Sequence, residues 1–248
     1  MTNAPHIGQT TATPCACGEN HAARGANFLR RRTFIRGGAV SMLTGAGMLV
    51  APSFAAAKSS LEPGVALGRL MAGNERFVSG RMQSFGEDLK ALREANVPHQ
   101  EPYAAILSCA DSRVPVELVF DQSIGNLFVA RVAGNVASSD IIASLEYGAA
   151  VLGVRVIMVL GHEGCGAIKA AVGGKAVPGQ ISGLYAPLRP AVVRGGGDVE
   201  ATGKANARIQ ADLLATASPV IAELIAAGSL KVVSAYYALA TGKVSLLD

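Results

Sequence analysis

A chain of 248 residues, half of them hydrophobic, has enough apolar material for one well-covered core and little room for a second full domain. The formal net charge is +4, but residues 1–57 contain five arginines and one glutamate, so the rest of the chain is formally neutral. Nucleic-acid binding needs clustered Lys and Arg to neutralise phosphates. The charge distribution therefore gives no reason to expect DNA or RNA as a partner.

The first 57 residues have the order of an export signal. Residues 30–36 are basic, residues 37–50 are apolar and rich in Gly and Ala, and residues 55–57 offer a small-residue cleavage site. The run Arg31-Arg32-Thr33-Phe34-Ile35-Arg36 resembles the bacterial twin-arginine signal. We therefore predict that residues 1–57 are removed by cleavage after Ala57, or after Ala55. Residues 58–248 then form a single domain without a stable membrane span.

This interpretation places the mature protein in the periplasm or outside the cell, with the twin-arginine export machinery as a partner of the precursor. An uncleaved N-terminal anchor is the alternative that the sequence leaves open. Four potential metal ligands, His6, Cys15, Cys17 and His21, lie in this segment. Because they would leave with the signal, we expect no functional metal site there.

The remaining chain alternates predicted helices and strands. The spacing of apolar residues predicts helices at 61–78, 85–96, 114–120, 138–152, 165–172 and 205–227, the last broken or kinked at Pro219. Short apolar runs predict strands at 104–108, 127–132, 154–160, 230–237 and 244–247. The Gly- and Pro-rich segment 173–204 is expected to be a surface excursion. Strands alternating with helices indicate an α/β fold, a mostly parallel sheet of four to five strands flanked by helices.

Side chains with metal-binding and acid–base chemistry follow two of these strands. Cys109 comes directly after the strand at 104–108, whereas His162 and Cys165 follow the strand at 154–160. The carboxyl ends of parallel strands meet at one crevice, where such folds bind their ligands. Zinc is commonly held by Cys and His, and a catalytic site leaves its fourth position open. Cys109, His162 and Cys165 therefore predict a zinc site, with one ion per subunit.

Asp111 determines the character of this predicted site. It is the only nearby candidate for a fourth protein ligand, which would close the site. Arg113, two residues further on, can hold the carboxylate away from the metal through a bidentate pair. Asp111 would then be free to accept a hydrogen bond from water. A permanently closed site would instead indicate a zinc-stapled binding protein without catalytic activity.

Taken together, the motifs resemble those of β-class carbonic anhydrases. The resemblance rests on Cys109-Ala-Asp111-Ser-Arg113-Val-Pro, Gly161-His162-x-x-Cys165-Gly166, Arg131-Val-Ala-Gly134-Asn135 and Gly73-Asn74-x-Arg76-Phe77. It implies a zinc enzyme that hydrates CO₂ to bicarbonate and a proton. It also implies a homodimer or a dimer of dimers, with the active site near the subunit interface.

The resemblance also assigns roles to individual residues. It implies zinc ligation by Cys109, His162 and Cys165, and a catalytic pair made of Asp111 and Arg113. Gln122 is the best match to a glutamine that donates a hydrogen bond to substrate in many members. Related zinc hydrolases that act on CS₂ or COS remain an alternative, because the sequence does not give the size of the pocket entrance.

Overall fold

The structure is a computed structural model that describes residues 59–247. The predicted export signal and the four potential metal ligands in it therefore lie outside the described residues. Within this range the helices are α1 (Pro63–Val78), α2 (Leu89–Asn96), α3 (Val116–Val119), α4 (Ser139–Glu146), α5 (Gly166–Gly173), α6 (Tyr185–Gly195), α7 (Val199–Ala217) and α8 (Pro219–Ala226). The strands are β1 (Ala104–Ser108), β2 (Leu127–Arg131), β3 (Val156–His162), β4 (Lys231–Tyr237) and β5 (Val244–Leu247).

The five strands form one sheet in the order β2-β1-β3-β4-β5. The first four are parallel, and β5 pairs antiparallel with β4. Every residue of β1 and β3 is buried, because helices cover both faces of the sheet and leave no solvent face for polar residues. The expected α/β fold with a mostly parallel, helix-flanked sheet is confirmed.

Each face of the sheet has its own hydrophobic layer. On one face, Leu70 of α1 and Phe120, directly after α3, pack with Ile106 and Met158 of the central strands. The opposite layer is built from residues of β1, β3, α4, α7 and α8: Leu107, Val159, Leu145, Leu214 and Ile221. Fully burying a side chain of this size contributes about 2 kcal/mol, so both layers hold the sheet in place.

The Gly-Asn pair in α1 connects this helix to distant parts of the chain. A Cβ atom at Gly73 would lie 1.8 Å from the Phe120 carbonyl oxygen, so only glycine lets the two backbones approach this closely. The amide nitrogen of Asn74 donates to the Gly242 carbonyl (2.9 Å), and its oxygen accepts from the Val244 amide (2.8 Å). This motif therefore stabilises the fold and lies outside the predicted metal site.

Asp121 follows α3 with a left-handed backbone (φ 46°) and a buried side chain. Its carboxylate pairs with Arg76 Nε at 2.5 Å and accepts hydrogen bonds from Ser84 Oγ and from the amides of Gln83 and Ser84. Burial alone would raise the pKa of Asp121, but the bonds from Ser84, Arg76 and Gln83 lower it to about 2. The carboxylate thus fixes the loop before α2 to the end of α3.

Two predicted segments differ from the observed elements. Segment 173–204, expected to be a surface excursion, contains α6 and the start of α7, and Leu188 and Ala191 of α6 are buried. That prediction was wrong because Gly and Pro were taken to exclude a helix. Pro187 lies in the first turn of α6, where its missing N–H removes no helical bond, whereas Pro190 lies inside the helix and is accommodated there.

The predicted break at Pro219 is confirmed. The chain bends by 90° between α7 and α8, and Ser218 caps α8 by accepting a hydrogen bond from the Ile221 amide (3.0 Å). Among residues 59–247, no single helix has the length and hydropathy of a membrane span, although α7 and α8 taken together across their bend pass that test.

We expect Asp121→Asn to destabilise the fold in a pH-dependent way. The folded state lowers the pKa of this carboxyl, so its contribution is present above the unfolded pKa of about 4 and disappears as the pH falls through the folded value near 2. Urea denaturation should show a loss of about 2 kcal/mol at pH 7 and about half of that at pH 3. A difference that is independent of pH would contradict this account.

Candidate metal centre

Three potential metal ligands converge at the carboxyl ends of β1 and β3. Ser108, the last residue of β1, is in register with Leu160, so Cys109 and His162 reach the same edge of the sheet. Cys165 is the residue at which α5 begins. All three side chains are buried, and their ligand atoms lie within 4.8 Å of one another.

The His162 ring presents one free nitrogen to this cluster. Its Nδ1 lies 2.9 Å from the Glu163 carbonyl oxygen, which can only accept, so Nδ1 carries the proton. Nε2 is buried and has no hydrogen-bond partner among the described residues. Leaving such a group unpaired costs about 1–3 kcal/mol, and a metal ion would satisfy it.

The sulfur positions also fit zinc. Cys109 Sγ and Cys165 Sγ are 3.9 Å apart. Two sulfurs at about 2.3 Å from one tetrahedral ion lie about 3.8 Å apart, which agrees with this separation. Two thiolates and one imidazole are a donor set typical of zinc. The residues present therefore fit the ion that the sequence predicts.

The two thiols share one hydrogen bond. The contact with Cys165 is the main reason that the pKa of Cys109 is lowered, and the Gly134 amide contributes by donating to the same sulfur at 3.3 Å. The same contact, together with burial, raises the pKa of Cys165. One of the two sulfurs is therefore readily a thiolate, which is the form that binds metal.

Arg113 holds Asp111 beside the cluster. Its Nε donates to Oδ1 (2.9 Å) and its Nη2 to Oδ2 (2.7 Å), a bidentate pair that keeps the pKa of Asp111 well below its usual range. Asp111 Oδ2 is 3.9 Å from His162 Nε2, but Asp111 is not one of the mutually close ligands. Arg113 also donates to the Gly164 carbonyl (3.3 Å), which joins the two sequence motifs.

Arg131, which the sequence analysis named only as part of a motif, also belongs to the site. It ends β2 in register with Ser108 and donates to the backbone carbonyls of Cys109 (2.9 Å) and Asp111 (2.6 Å). These bonds hold the turn that carries the ligand and the carboxylate. Its position at the end of the strand next to β1 was a signal that could have identified it.

Apolar side chains cover the inner side of the cluster. Val136, Ile168 and Leu188 are buried and pack with Cys109 and Cys165. By contrast, the side chain of Arg113 is 54% exposed. The cluster is therefore dry on one side and borders solvent on the side of the Asp111 and Arg113 pair.

Gln122 lies apart from this constellation. It is buried, and its Nε2 donates to the Phe120 carbonyl at 2.8 Å. Among the described residues it shares no hydrogen bond with Asp111 or Arg113, and it lines a cavity together with Ser84, Leu89 and Glu117. Its role in substrate binding stays a prediction.

The sequence and the fold have known relatives. The profile of the carbonic anhydrase family matches residues 104–244. Carbonic anhydrase 2 of Mycobacterium tuberculosis is 38% identical over 187 residues, which cover 72% of this chain and 90% of that protein.

Two solved structures share the fold. The β-carbonic anhydrase CcaA has a TM-score of 0.60 and 25% identity, with 74% of this chain and 88% of that chain covered. A tetrameric β-carbonic anhydrase of Sordaria macrospora has a TM-score of 0.59 and 22% identity, with coverage of 74% and 97%. The chain therefore belongs to the carbonic anhydrase family and has the fold of β-carbonic anhydrases.

Proposed function

We propose that the cluster of Cys109, His162 and Cys165 is the centre at which this carbonic anhydrase hydrates CO₂ reversibly to bicarbonate and a proton. The observation that carries the assignment is the convergence of two thiols and an unpartnered, buried imidazole nitrogen within 4.8 Å. Cys109, His162 and Cys165 would hold one zinc ion per subunit. When bound, zinc supplies the Lewis acid that activates water for attack on CO₂.

Asp111 orients the reacting water in this proposal. Its carboxylate accepts hydrogen bonds only, and Arg113 occupies both of its oxygens from one side. A water at the open side of the cluster can donate to Oδ2, which directs the water's lone pair toward the substrate carbon. Both arginines fix the position of Asp111. Arg113 binds its carboxylate, and Arg131 binds backbone carbonyls of the turn that carries it.

The bidentate pair of Asp111 and Arg113 also argues against a non-catalytic zinc protein. A zinc-stapled binding protein requires the Asp111 carboxylate as a permanent fourth ligand, whereas both of its oxygens are bonded to Arg113 here. The hydration reaction, rather than hydrolysis of CS₂ or COS, agrees with the relatives, which are named carbonic anhydrases. Stopped-flow CO₂ hydration by the zinc-loaded protein is the direct test of the activity.

We expect Asp111→Ala to retain zinc and to lose about 100-fold in CO₂ hydration, because the water is no longer oriented. Cys109→Ser or His162→Ala should lose the zinc itself. Stopped-flow rates and the metal content of each purified variant measure these effects. Asp140→Ala, which removes an exposed carboxylate from α4, is the matched control and should leave both unchanged. An Asp111→Ala enzyme with full turnover would contradict the proposed role.

For the precursor, we propose that residues 1–57 direct export of the folded chain through the twin-arginine route to the periplasm or beyond. The support is the Arg31-Arg32-x-Phe-Ile-Arg run, the apolar stretch after it and the small residues before Lys58. In addition, Arg155 binds the Ser59 carbonyl through Nε (2.7 Å) and Nη2, so a residue that the cleaved chain would retain is bonded to the domain.

Replacing Arg31 and Arg32 together by Lys should retain the precursor in the cytoplasm, since the export route reads the arginine pair. Arg24→Lys, which changes an arginine outside the run, should be exported and cleaved normally. Cell fractionation, followed by N-terminal sequencing of the exported form, measures both. Equal export of the two variants would show that another signal directs the chain.

We also propose that the chain assembles as a homodimer or a dimer of dimers through the surface beside β2. This strand is an edge of the sheet, so one row of its backbone groups has no strand partner. Helix α2 lies in the chain just before the sheet and has no buried residue. Leu89 is 57% exposed and Val97 81% exposed, and Ile124 before β2 is also exposed. Leu89 and Ile124 line one cavity together with Leu127 of β2, and exposed apolar residues grouped in this way are typical of an interface.

Leu89→Asp should lower the assembly mass, because the substitution places a charge among the apolar residues of this surface. Val220→Asp, at an exposed apolar position on α8, is the control and should retain the wild-type mass. Size-exclusion chromatography with light scattering distinguishes the two results. If Leu89→Asp leaves the mass unchanged, this surface is not the interface.

A further inference from the structure

Two amide side chains lie buried on α7, one helical turn apart. Asn206 is 0% exposed and Gln210 is 2% exposed. An amide in such a place is unfavourable unless its donors and acceptor are bonded. Two of their partners, Gly134 and Ala137, lie in the loop that follows β2, next to Cys109, and Gln210 also donates to the Pro187 carbonyl of α6 (3.5 Å).

Hydrogen bonds connect the two amides to each other and to the loop. Asn206 Nδ2 donates to the Gly134 carbonyl (2.8 Å), and Gln210 Nε2 donates to Asn206 Oδ1 (3.2 Å). Gln210 Oε1 accepts from the Ala137 amide at 2.8 Å. Turning either amide over would place like groups against each other, so the orientations are determined. The two side chains therefore clamp the loop at residues 134 and 137.

The clamped loop turns through two left-handed residues, Gly134 (φ 77°) and Asn135 (φ 43°). Glycine adopts this conformation freely, whereas it is unfavourable for Asn135, which has a Cβ atom. A Cβ atom at Gly134 would lie 3.3 Å from Ala167 Cβ and from a methyl group of Leu188. Such conformations persist only where the surroundings hold them. The bonds from Asn206 and Gln210 are polar contacts that do so here.

The consequence for the metal centre comes through Gly134. Its N–H donates to Cys109 Sγ at 3.3 Å. A hydrogen bond to a thiolate takes up part of the negative charge that the sulfur would otherwise donate to a metal. This hydrogen bond is important in a centre with two thiolates, because their charges together cancel that of Zn²⁺ and make the ion a weaker Lewis acid.

We propose that Asn206 and Gln210 are positioning residues that hold the Gly134 N–H against the Cys109 sulfur and so keep the metal electrophilic. The inference rests on the proposed ligand role of Cys109. Both amides bind backbone groups of the loop, so they act on Cys109 through Gly134.

The test uses the full mature protein loaded with Co²⁺ or Zn²⁺. Asn206→Leu keeps the side-chain volume but removes the bond to Gly134. We expect the sulfur-to-cobalt charge-transfer band to move to longer wavelength and the Gly134 amide proton of the zinc form to move upfield. The rate of CO₂ hydration should fall about 10-fold, as is usual when a group supporting a metal ligand is lost.

Thr202→Val is the matched control, because it removes from the same helix a fully buried hydroxyl that has no hydrogen-bond partner within residues 59–247. It should leave the cobalt band and the Gly134 resonance unchanged, even if it alters the melting temperature. Gln210→Met, which releases only the Ala137 end of the clamp, should shift both signals in the same direction by less. If Asn206→Leu fails to fold, the Gln210→Met variant tests the positioning role instead.

Two failures can be told apart. If the unsubstituted protein binds Co²⁺ without a sulfur charge-transfer band, the proposed ligand set is wrong. If that band is present and the folded Asn206 or Gln210 variant leaves it and the Gly134 resonance unchanged, the positioning role is overturned and the amides serve the fold alone.

Discussion

The site depends on the parallel pairing of β1 with β3. This register brings Cys109 and His162 to the same edge of the sheet, although 52 residues separate them in the chain. Because both strands are buried on both faces, a slip of one residue would move whole side-chain sets between the two hydrophobic layers. The packing that stabilises the domain therefore also sets the distance between the proposed metal ligands.

Around this edge, cations control where the carboxylate lies. Arg113 binds both oxygens of Asp111, and Arg131 binds the carbonyls of Cys109 and Asp111 from the neighbouring strand. The two arginines thus act on different parts of one short turn. Without these partners the Asp111 carboxylate would be drawn to a bound zinc ion. The arginines therefore make it possible for the fourth coordination position of zinc to stay open.

The two faces of the domain use polar groups in different ways. On the α1 face, Asn74 and Asp121 connect helices and loops away from the metal centre. On the α7 face, Asn206 and Gln210 support the loop whose amide touches Cys109. Both are buried networks with satisfied partners, but only the second reaches a proposed ligand. A buried polar side chain can therefore stabilise the fold or support the site, depending on the groups that it binds.

The sequence by itself determined the order of the strands and most of the helices and predicted the ligand set, because buried parallel strands and the short spacings in the two motifs are local patterns. It missed α6, since this helix holds Pro187 in its first turn and Pro190 in its interior, and packing of Leu188 and Ala191 in the core outweighs the unfavourable local signal. Only the tertiary structure decided that Arg131 and α7 support the Cys109 turn. These contacts join residues that are distant in the chain, and their hydrogen bonds arise from strand register and helix packing that no local pattern encodes.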